Sequence, residues 1–403
     1  MSPNPGLCRR FADFICRLLR VILPDRLQPW GDAIRVEVAQ IPSDTEALFY
    51  ALGGIGGLLP RALVEHLFSP IDEFQSCQQS ASERSMSMSR AQEGVFRPRR
   101  FALACGVSAI LLGLFYLASA GAPARYLVIN GAAFLIGFAA LAVADRLAGV
   151  FSGWRPVVVV AIAASLLATA LLGQQMEGAA RWVRVGSLSV QPSLILLPIM
   201  ILAFAQSKHW LTMGGVLVAT VALAIQPDRA MAGVLAASLT VLAVLRPDRM
   251  TVTAAAAGVA SFAATLARPD YLPAVPYVDQ VLYSAFDTHL LAGVSVLAGS
   301  ALLVAPAIAG WVRDTEDRTV YALLGVTWST TILAAALGNY PTPLVGYGGS
   351  AIIGYLLCLV ALPKMAAIGR SAEASKISDA DQPRSGDRAL RAVQSSAQAS
   401  LPC

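Results

Sequence analysis

From Arg97 to about residue 365 the chain is a succession of long apolar stretches almost free of charge, each near the ~18–20 residues a helix needs to cross a bilayer. A chain built this way is a polytopic α-helical membrane protein. Composition agrees: of 403 residues, 56% are hydrophobic and 14% charged, with a mean hydropathy of +0.62. A soluble domain carries about 25% charged residues. The deficit excludes a disordered protein, a collagen, a coiled coil or a nucleic-acid-binding domain as the main body. The formal charge of +5 then reflects arginines at loop edges rather than a nucleic-acid partner. The six cysteines, Cys8, Cys16, Cys77, Cys105, Cys358 and Cys403, contain no CxxC and no metal-like spacing. Arg9, Arg10, Arg17 and Arg20 interrupt the first residues, so no signal peptide is expected there.

Three zones differ in character. Residues 1–75 mix polar and apolar residues and read as a small helical region, cytoplasmic or on the membrane surface. Within it, Trp30 to Ala39 reads as an amphipathic helix, and Pro42-Ser43-Asp44 as a turn and cap before another helix. The apolar run Ala47–Leu59, broken by four glycines and followed by Pro60, reads as a core or interfacial helix too short to cross. Residues 76–96, rich in Ser, Gln and Arg, read as a flexible linker. Residues 97–365 form the membrane domain, with segments near 101–120, 125–144, 156–172, 191–206, 210–225, 230–245, 251–267, 281–310, 319–338 and 344–362. That is about ten spans. Residues 366–403 read as a disordered cytoplasmic tail.

Basic residues set the expected orientation. With the N-terminal zone inside, the inner loops hold Arg97, Arg99, Arg100, Arg146, Arg155, Lys208, Arg246, Arg249, Arg313, Arg318, Lys364 and Arg370. The outer loops hold Arg125, Arg181, Arg184, Arg229 and Arg268. This bias follows the positive-inside rule and puts both termini in the cytoplasm.

Three outer stretches carry candidate chemistry. The loop from Gly178 to Gly186 reads Gly-Ala-Ala-Arg-Trp-Val-Arg-Val-Gly, with Gln191-Pro192-Ser193 after it. On physical grounds it is a membrane-anchoring loop with Arg181, Arg184 and an interfacial Trp182. Gln226-Pro227-Asp228 starts another helix, and Pro341-Thr-Pro-Leu-Val-Gly-Tyr347-Gly-Gly-Ser350 precedes the last. Asp279 lies at a membrane edge, either as a solvated cap or as a functional carboxylate. Arg229 beside Asp228, and Arg268 beside Asp270, read as loop ion pairs. His289 falls inside an apolar run and reads as structural or cavity-lining.

These strings, taken in order, resemble the SEDS family (FtsW/RodA/SpoVE) of cell-division and cell-shape membrane proteins. The first is similar to "GARRWI-x-x-G-x-x-x-QPSE", the second to the start of "PDFGT", and the third to "LPFISYGGSS". Residues 278–293 fit "TDFIFAVIGEELGLIG" without a gap, with Asp279 on the family's catalytic aspartate and Asp287 on its first glutamate. The resemblance implies a ten-span fold in the bacterial cytoplasmic membrane. It implies a peptidoglycan glycosyltransferase that polymerises lipid II beside a class B penicillin-binding protein, in cell division or cell-shape maintenance. Asp279 would be the catalytic base, acting on the attacking sugar hydroxyl. Arg181 and Arg184 would meet the diphosphate leaving group. Trp182, Gln191, Ser193, Asp228, Tyr347 and Ser350 would complete a substrate site. A divalent cation near the diphosphate is compatible with this chemistry, although no ligand cluster argues for one.

The chain also departs from the family pattern. "QPSE" ends in Leu194, "PDFGT" becomes Asp228-Arg229-Ala-Met, and Thr288 replaces the second glutamate. A short, proline-rich stretch, Arg268 to Val278, replaces the family's long segment before the aspartate. That shortening favours an alternative, a non-catalytic scaffold or a binder or transporter of lipid-linked precursors. The short loop argues for the alternative, and the retained Arg181, Asp279 and Tyr347–Ser350 argue for the enzyme.

Overall fold

A computed structural model gives the fold; the structure describes residues 7–68, 96–150, 153, 155–176, 178–186, 188–207, 209–268 and 272–364. Nearly all of the expected linker, and the tail, lie outside the described residues. The architecture is that of an all-α polytopic membrane protein. Among the described residues, seven helices are long and apolar enough to cross a membrane, and four shorter apolar ones accompany them.

The N-terminal zone folds as α1 (Leu7–Ile22), α2 (Gln28–Gln40) and α3 (Asp44–Phe68) around Ala12, Ile15, Leu19, Val38, Ala47 and Ala51. The helix α3 corrects the expectation of a short core helix. It continues through Pro60 for 25 residues and counts among the membrane-length helices. Its glycines do not end it, because Gly53, Gly56 and Gly57 face open space and need no special backbone. The unit rests on the bundle through two kinds of contact. Phe14 meets Phe134 and Phe138 edge-on, with ring centroids 6.3 and 5.5 Å away. Asp25 receives Arg97 at 2.8 Å and Arg100 at 3.2 Å.

The bundle proper follows: α4 (Pro98–Ser119), α5 (Ala124–Val150), α6 (Arg155–Leu172), α7 (Pro192–Ala205), α8 (Trp210–Ile225), α9 (Arg229–Leu245), α10 (Arg249–Leu266), α11 (Val281–Thr288), α12 (Leu290–Arg313), α13 (Arg318–Leu337) and α14 (Gly349–Cys358). Helices dominate because backbone groups in hydrocarbon find partners only within the segment. On α8, α9, α10 and α12 a side chain caps the exposed first N–H groups. Asp248 and Thr251 form a capping box on α10, and the Nδ1 of His209 accepts from the Leu211 N–H at the start of α8.

The expected span over 281–310 is divided. At His289 the backbone is extended, α11 ends and α12 begins. His289 is therefore an exposed cap rather than a residue within a helix, and its Nδ1 accepts from the Ala292 N–H at 3.0 Å. A second difference lies between α6 and α7. Where the sequence reads as a loop, strands β1 (Gln174–Met176), β2 (Ala179–Val185) and β3 (Leu188–Val190) form a small antiparallel sheet in the order β1-β2-β3. Gly178 and Gly186, at φ +81° and +61°, permit its two turns.

Helix α7 is buried along most of its length and forms the axis of the bundle. Small residues let its neighbours approach. A Cβ on Gly354 of α14 would lie 2.3 Å from the Leu194 carbonyl oxygen and 3.1 Å from the Ile195 Cα, so backbone meets backbone. At the next residue, the Tyr355 ring lies against Gly106 of α4 and its hydroxyl donates to the Ala102 carbonyl at 2.9 Å. At the same end of the bundle Arg99 clasps Asp145 at 2.5 Å and the carbonyls of Val360 and Leu362, while Lys364 reaches Asp145 at 2.9 Å.

Substitution separates close approach from open space. Gly354→Ala is expected to cost about 1–3 kcal/mol by overpacking. Gly131→Ala, where nothing stands within 4 Å, is expected to leave stability unchanged or raise it by up to about 1 kcal/mol through helix propensity. Thermal unfolding midpoints of the detergent-solubilised variants check this; equal midpoints would contradict the close crossing of α14 and α7.

Candidate functional site

The end of the bundle opposite the Arg99 clasp gathers the sheet, the 226–228 turn, the loop before α11 and the 338–348 loop. Two hydrogen-bonded groups and a cavity occupy it.

The first group centres on Asp228. This residue is fully buried (0% exposed) and caps α9, its Oδ1 accepting from the Met231 N–H at 3.3 Å. Its Oδ2 accepts from the Ser193 hydroxyl at 2.7 Å and the Gln191 amide at 3.0 Å. The Gln191 backbone N–H donates to Ser350 Oγ at 3.1 Å. Beside them Arg181, 3% exposed at the buried start of β2, donates to the Pro227 carbonyl at 2.6 Å. Its guanidinium lies 5.9 Å from the Trp182 ring centroid and 5.8 Å from that of Tyr340. Three sequence motifs thus meet through Gln191, Ser193, Asp228, Ser350 and Arg181. Arg184 stands apart: it is exposed near the turn of the β2–β3 hairpin, opposite Ser189.

The expected pairing of Arg229 with Asp228 gives way to a different arrangement. The Asp228 oxygens accept from Gln191, Ser193 and Met231, while Arg229 Nη2 donates to the Arg268 carbonyl at 2.8 Å. Asp270 lies outside the described residues.

The second group holds Asp279. A turn over 275–280 is pinned to the 342–347 loop, since the Thr342 N–H donates to the Val278 carbonyl at 3.0 Å and the Tyr347 N–H to the Tyr277 carbonyl at 2.6 Å. The Tyr347 ring stacks on Tyr126 at 3.8 Å, and Asn130 holds the loop through the Gly346 carbonyl and the Gly348 N–H. Asp279 itself is 8% exposed, and its Oδ2 accepts from the Val275 N–H at 2.9 Å. Burial raises its pKa above the ordinary carboxylate value, and the Val275 hydrogen bond opposes that rise. Asp287 is exposed on α11.

A cavity of about 550 Å³ lies between the groups, lined by Arg229, Leu272, Gln280, Tyr283, Tyr340 and the 336–339 segment. Asp279 immediately precedes the lining residue Gln280, whose left-handed φ of +57° turns the chain into α11. Gln280 donates to the Asn339 side chain at 2.9 Å, Asn339 to the Leu272 carbonyl at 2.9 Å, and the Tyr283 hydroxyl to the Ala336 carbonyl at 3.0 Å. None of these lining residues was singled out as a site residue from sequence. The available signal was a cluster of amide and phenol side chains at segment edges, too common a pattern to select them. Among the described residues no three His, Cys, Asp or Glu side chains gather as a metal-ligand set.

Comparison with known proteins gives likeness in structure only. No family model matches the chain, and no curated protein matches it in sequence. Among solved structures, it is similar to the rod shape determining protein RodA of Thermus thermophilus at 21% identity and a TM-score of 0.49. The match covers 64% of this chain and 93% of RodA. A mutant of the same RodA matches at 22% identity and a TM-score of 0.47, over 64% and 94% of the two chains. A chain from a structure titled for coordination of polymerization and crosslinking by a peptidoglycan synthase complex matches at 19% and 0.45, over 67% and 97%.

Proposed function

We propose that this chain is a SEDS-type glycosyltransferase that polymerises lipid II at the outer face of the bacterial cytoplasmic membrane. In this reading both termini are cytoplasmic, the sheet-bearing end of the bundle is outermost, and a class B penicillin-binding protein is the partner. The observation that carries it is the buried Asp279 carboxyl, raised in pKa, one residue from the wall of a polar cavity.

The reaction joins a sugar hydroxyl to the anomeric carbon of a lipid-linked sugar and releases a polyprenyl diphosphate. Asp279 takes the proton from the attacking hydroxyl as general base. A raised pKa strengthens that base, provided the carboxyl is ionised at working pH. Cations near the cavity stabilise the diphosphate as its charge develops. Gln191, Ser193, Asp228 and Ser350 act one step back: they fix the turn that carries Arg229 and the loop that carries Tyr347. The hydrogen bond that folds Asp279 onto Val275 favours a second reading, a non-catalytic binder of lipid-linked precursors.

Labelled lipid II, the purified full chain and candidate class B penicillin-binding proteins separate the readings. Glycan polymer is expected from the native chain and none from Asp279→Asn, which keeps an acceptor for the Val275 N–H and so keeps the fold. No polymer from the native chain with any partner would overturn the enzyme. The protonated carboxyl is no base, so the polymerisation rate is expected to fall as pH drops through a midpoint raised above the ordinary carboxylate value. A rate unchanged from pH 7 to about 4 would exclude Asp279 as the base. Asp228→Ala is expected to act on folding instead. It leaves buried donors on Gln191, Ser193 and Met231 without their acceptor, costing about 1–3 kcal/mol per group, and folded yield in detergent reads the loss.

A further inference from the structure

We infer that Arg229 makes the outer cavity an anion site and holds the diphosphate of the substrate there. The inference rests on the proposed glycosyl transfer for the identity of the anion's carrier, and on the cavity for the anion itself. The family string carries phenylalanine where this chain has Arg229, so the charge is a property of this chain.

The cavity lining has one formal charge, the Arg229 guanidinium, and no Asp or Glu among its described residues. Among the described residues, the acidic neighbours of the lining in sequence, Asp228 and Asp279, are already committed. Asp228 is fully buried and accepts three hydrogen bonds, and Asp279 turns its Oδ2 to the Val275 N–H. Arg229 is also the first residue of α9, directly after the Asp228 cap, which holds the guanidinium at the edge of the cavity. A second guanidinium, Arg181, lies behind the Tyr340 ring that lines the same cavity. Arg229 is held by a bond from Nη2 to the Arg268 carbonyl. An acceptor that draws no charge from the guanidinium leaves it cationic, and guanidinium suits phosphate oxygens better than an ammonium does.

The other walls suit the rest of such a ligand. A volume of about 550 Å³ exceeds a diphosphate alone and leaves room for an attached sugar. Gln280 and Asn339 offer amides for hydroxyl groups. Tyr283, 59% exposed, and Tyr340 offer ring faces to a sugar. The site then orients the leaving group on the side of the turn that carries Asp279.

The test is calorimetric titration of the full chain in neutral detergent with inorganic pyrophosphate and with a short-chain polyprenyl diphosphate, beside phosphatidylglycerol as a lipid-headgroup control. Both diphosphates are expected to bind, and Arg229→Gln to weaken them about tenfold or more. Arg229→Lys should recover part of the affinity, because the charge remains and the fork is lost. Arg249→Gln, at the opposite end of the bundle, should leave binding unchanged. A measurement on the native chain covers the case of an unfolded variant: pyrophosphate should slow phenylglyoxal modification of Arg229, followed by peptide mass spectrometry. Absence of protection, affinity independent of Arg229, or equal Arg229-dependent binding of phosphatidylglycerol would overturn the inference. Arg229-dependent diphosphate binding in a chain that makes no polymer would sink the glycosyltransferase and keep the site.

Discussion

A buried carboxylate joins the pieces of this molecule that apolar packing leaves unspecified. Ionised groups at membrane level are costly unless hydrogen-bonded, and Asp228 meets that demand with donors from Gln191, Ser193 and the α9 backbone. Satisfying it fixes where the sheet ends, where α7 begins and how α9 is capped. Ser350 extends the arrangement to α14 through the Gln191 N–H. The outer loops then have little freedom left, and the cavity beside Arg229 follows from their positions.

The two ends of the bundle use charge differently. At one end Arg99 and Lys364 pair with Asp145, and Arg99 also binds the Val360 and Leu362 carbonyls just past the last helix. These contacts consume charge in closing the structure. At the other end Asp228 and Asp279 are turned inward, while Arg229 lines an open volume. That imbalance gives the cavity its sign. It also separates supporting residues from contacting ones: Gln191, Ser193 and Asp228 hold one another, while Arg229, Gln280, Tyr283 and Tyr340 face the space a ligand would fill.

Much of the fold was legible in the sequence because hydropathy is local. Each apolar run maps onto a helix or a helix pair, and the helix expected at Trp30–Ala39 is α2. The misses have physical causes. Pro60 and four glycines suggested an early end to α3, but a helix with one face in open space tolerates them. The apolar run at 281–310 concealed a break, because His289 caps α12 with a ring nitrogen and hydropathy does not register a change of backbone angle. The loop holding Arg181 and Arg184 forms a sheet, and its pairing sends one arginine into the bundle and the other to the exposed turn.

The sequence by itself determined that this is a helical membrane protein, where most of its apolar helices lie, and which few polar residues lie at their edges. Those properties depend on runs of neighbouring residues. Tertiary structure decided which polar residues meet. Gln191 finds Asp228 at a separation of 37 positions and Ser350 at 159. Arg229, read from sequence as half of a local ion pair, instead lines the cavity because the carboxylate beside it is taken by donors from another helix. Hydrogen bonds at such separations are set by the packing of helices against one another, which a local pattern of residues does not encode.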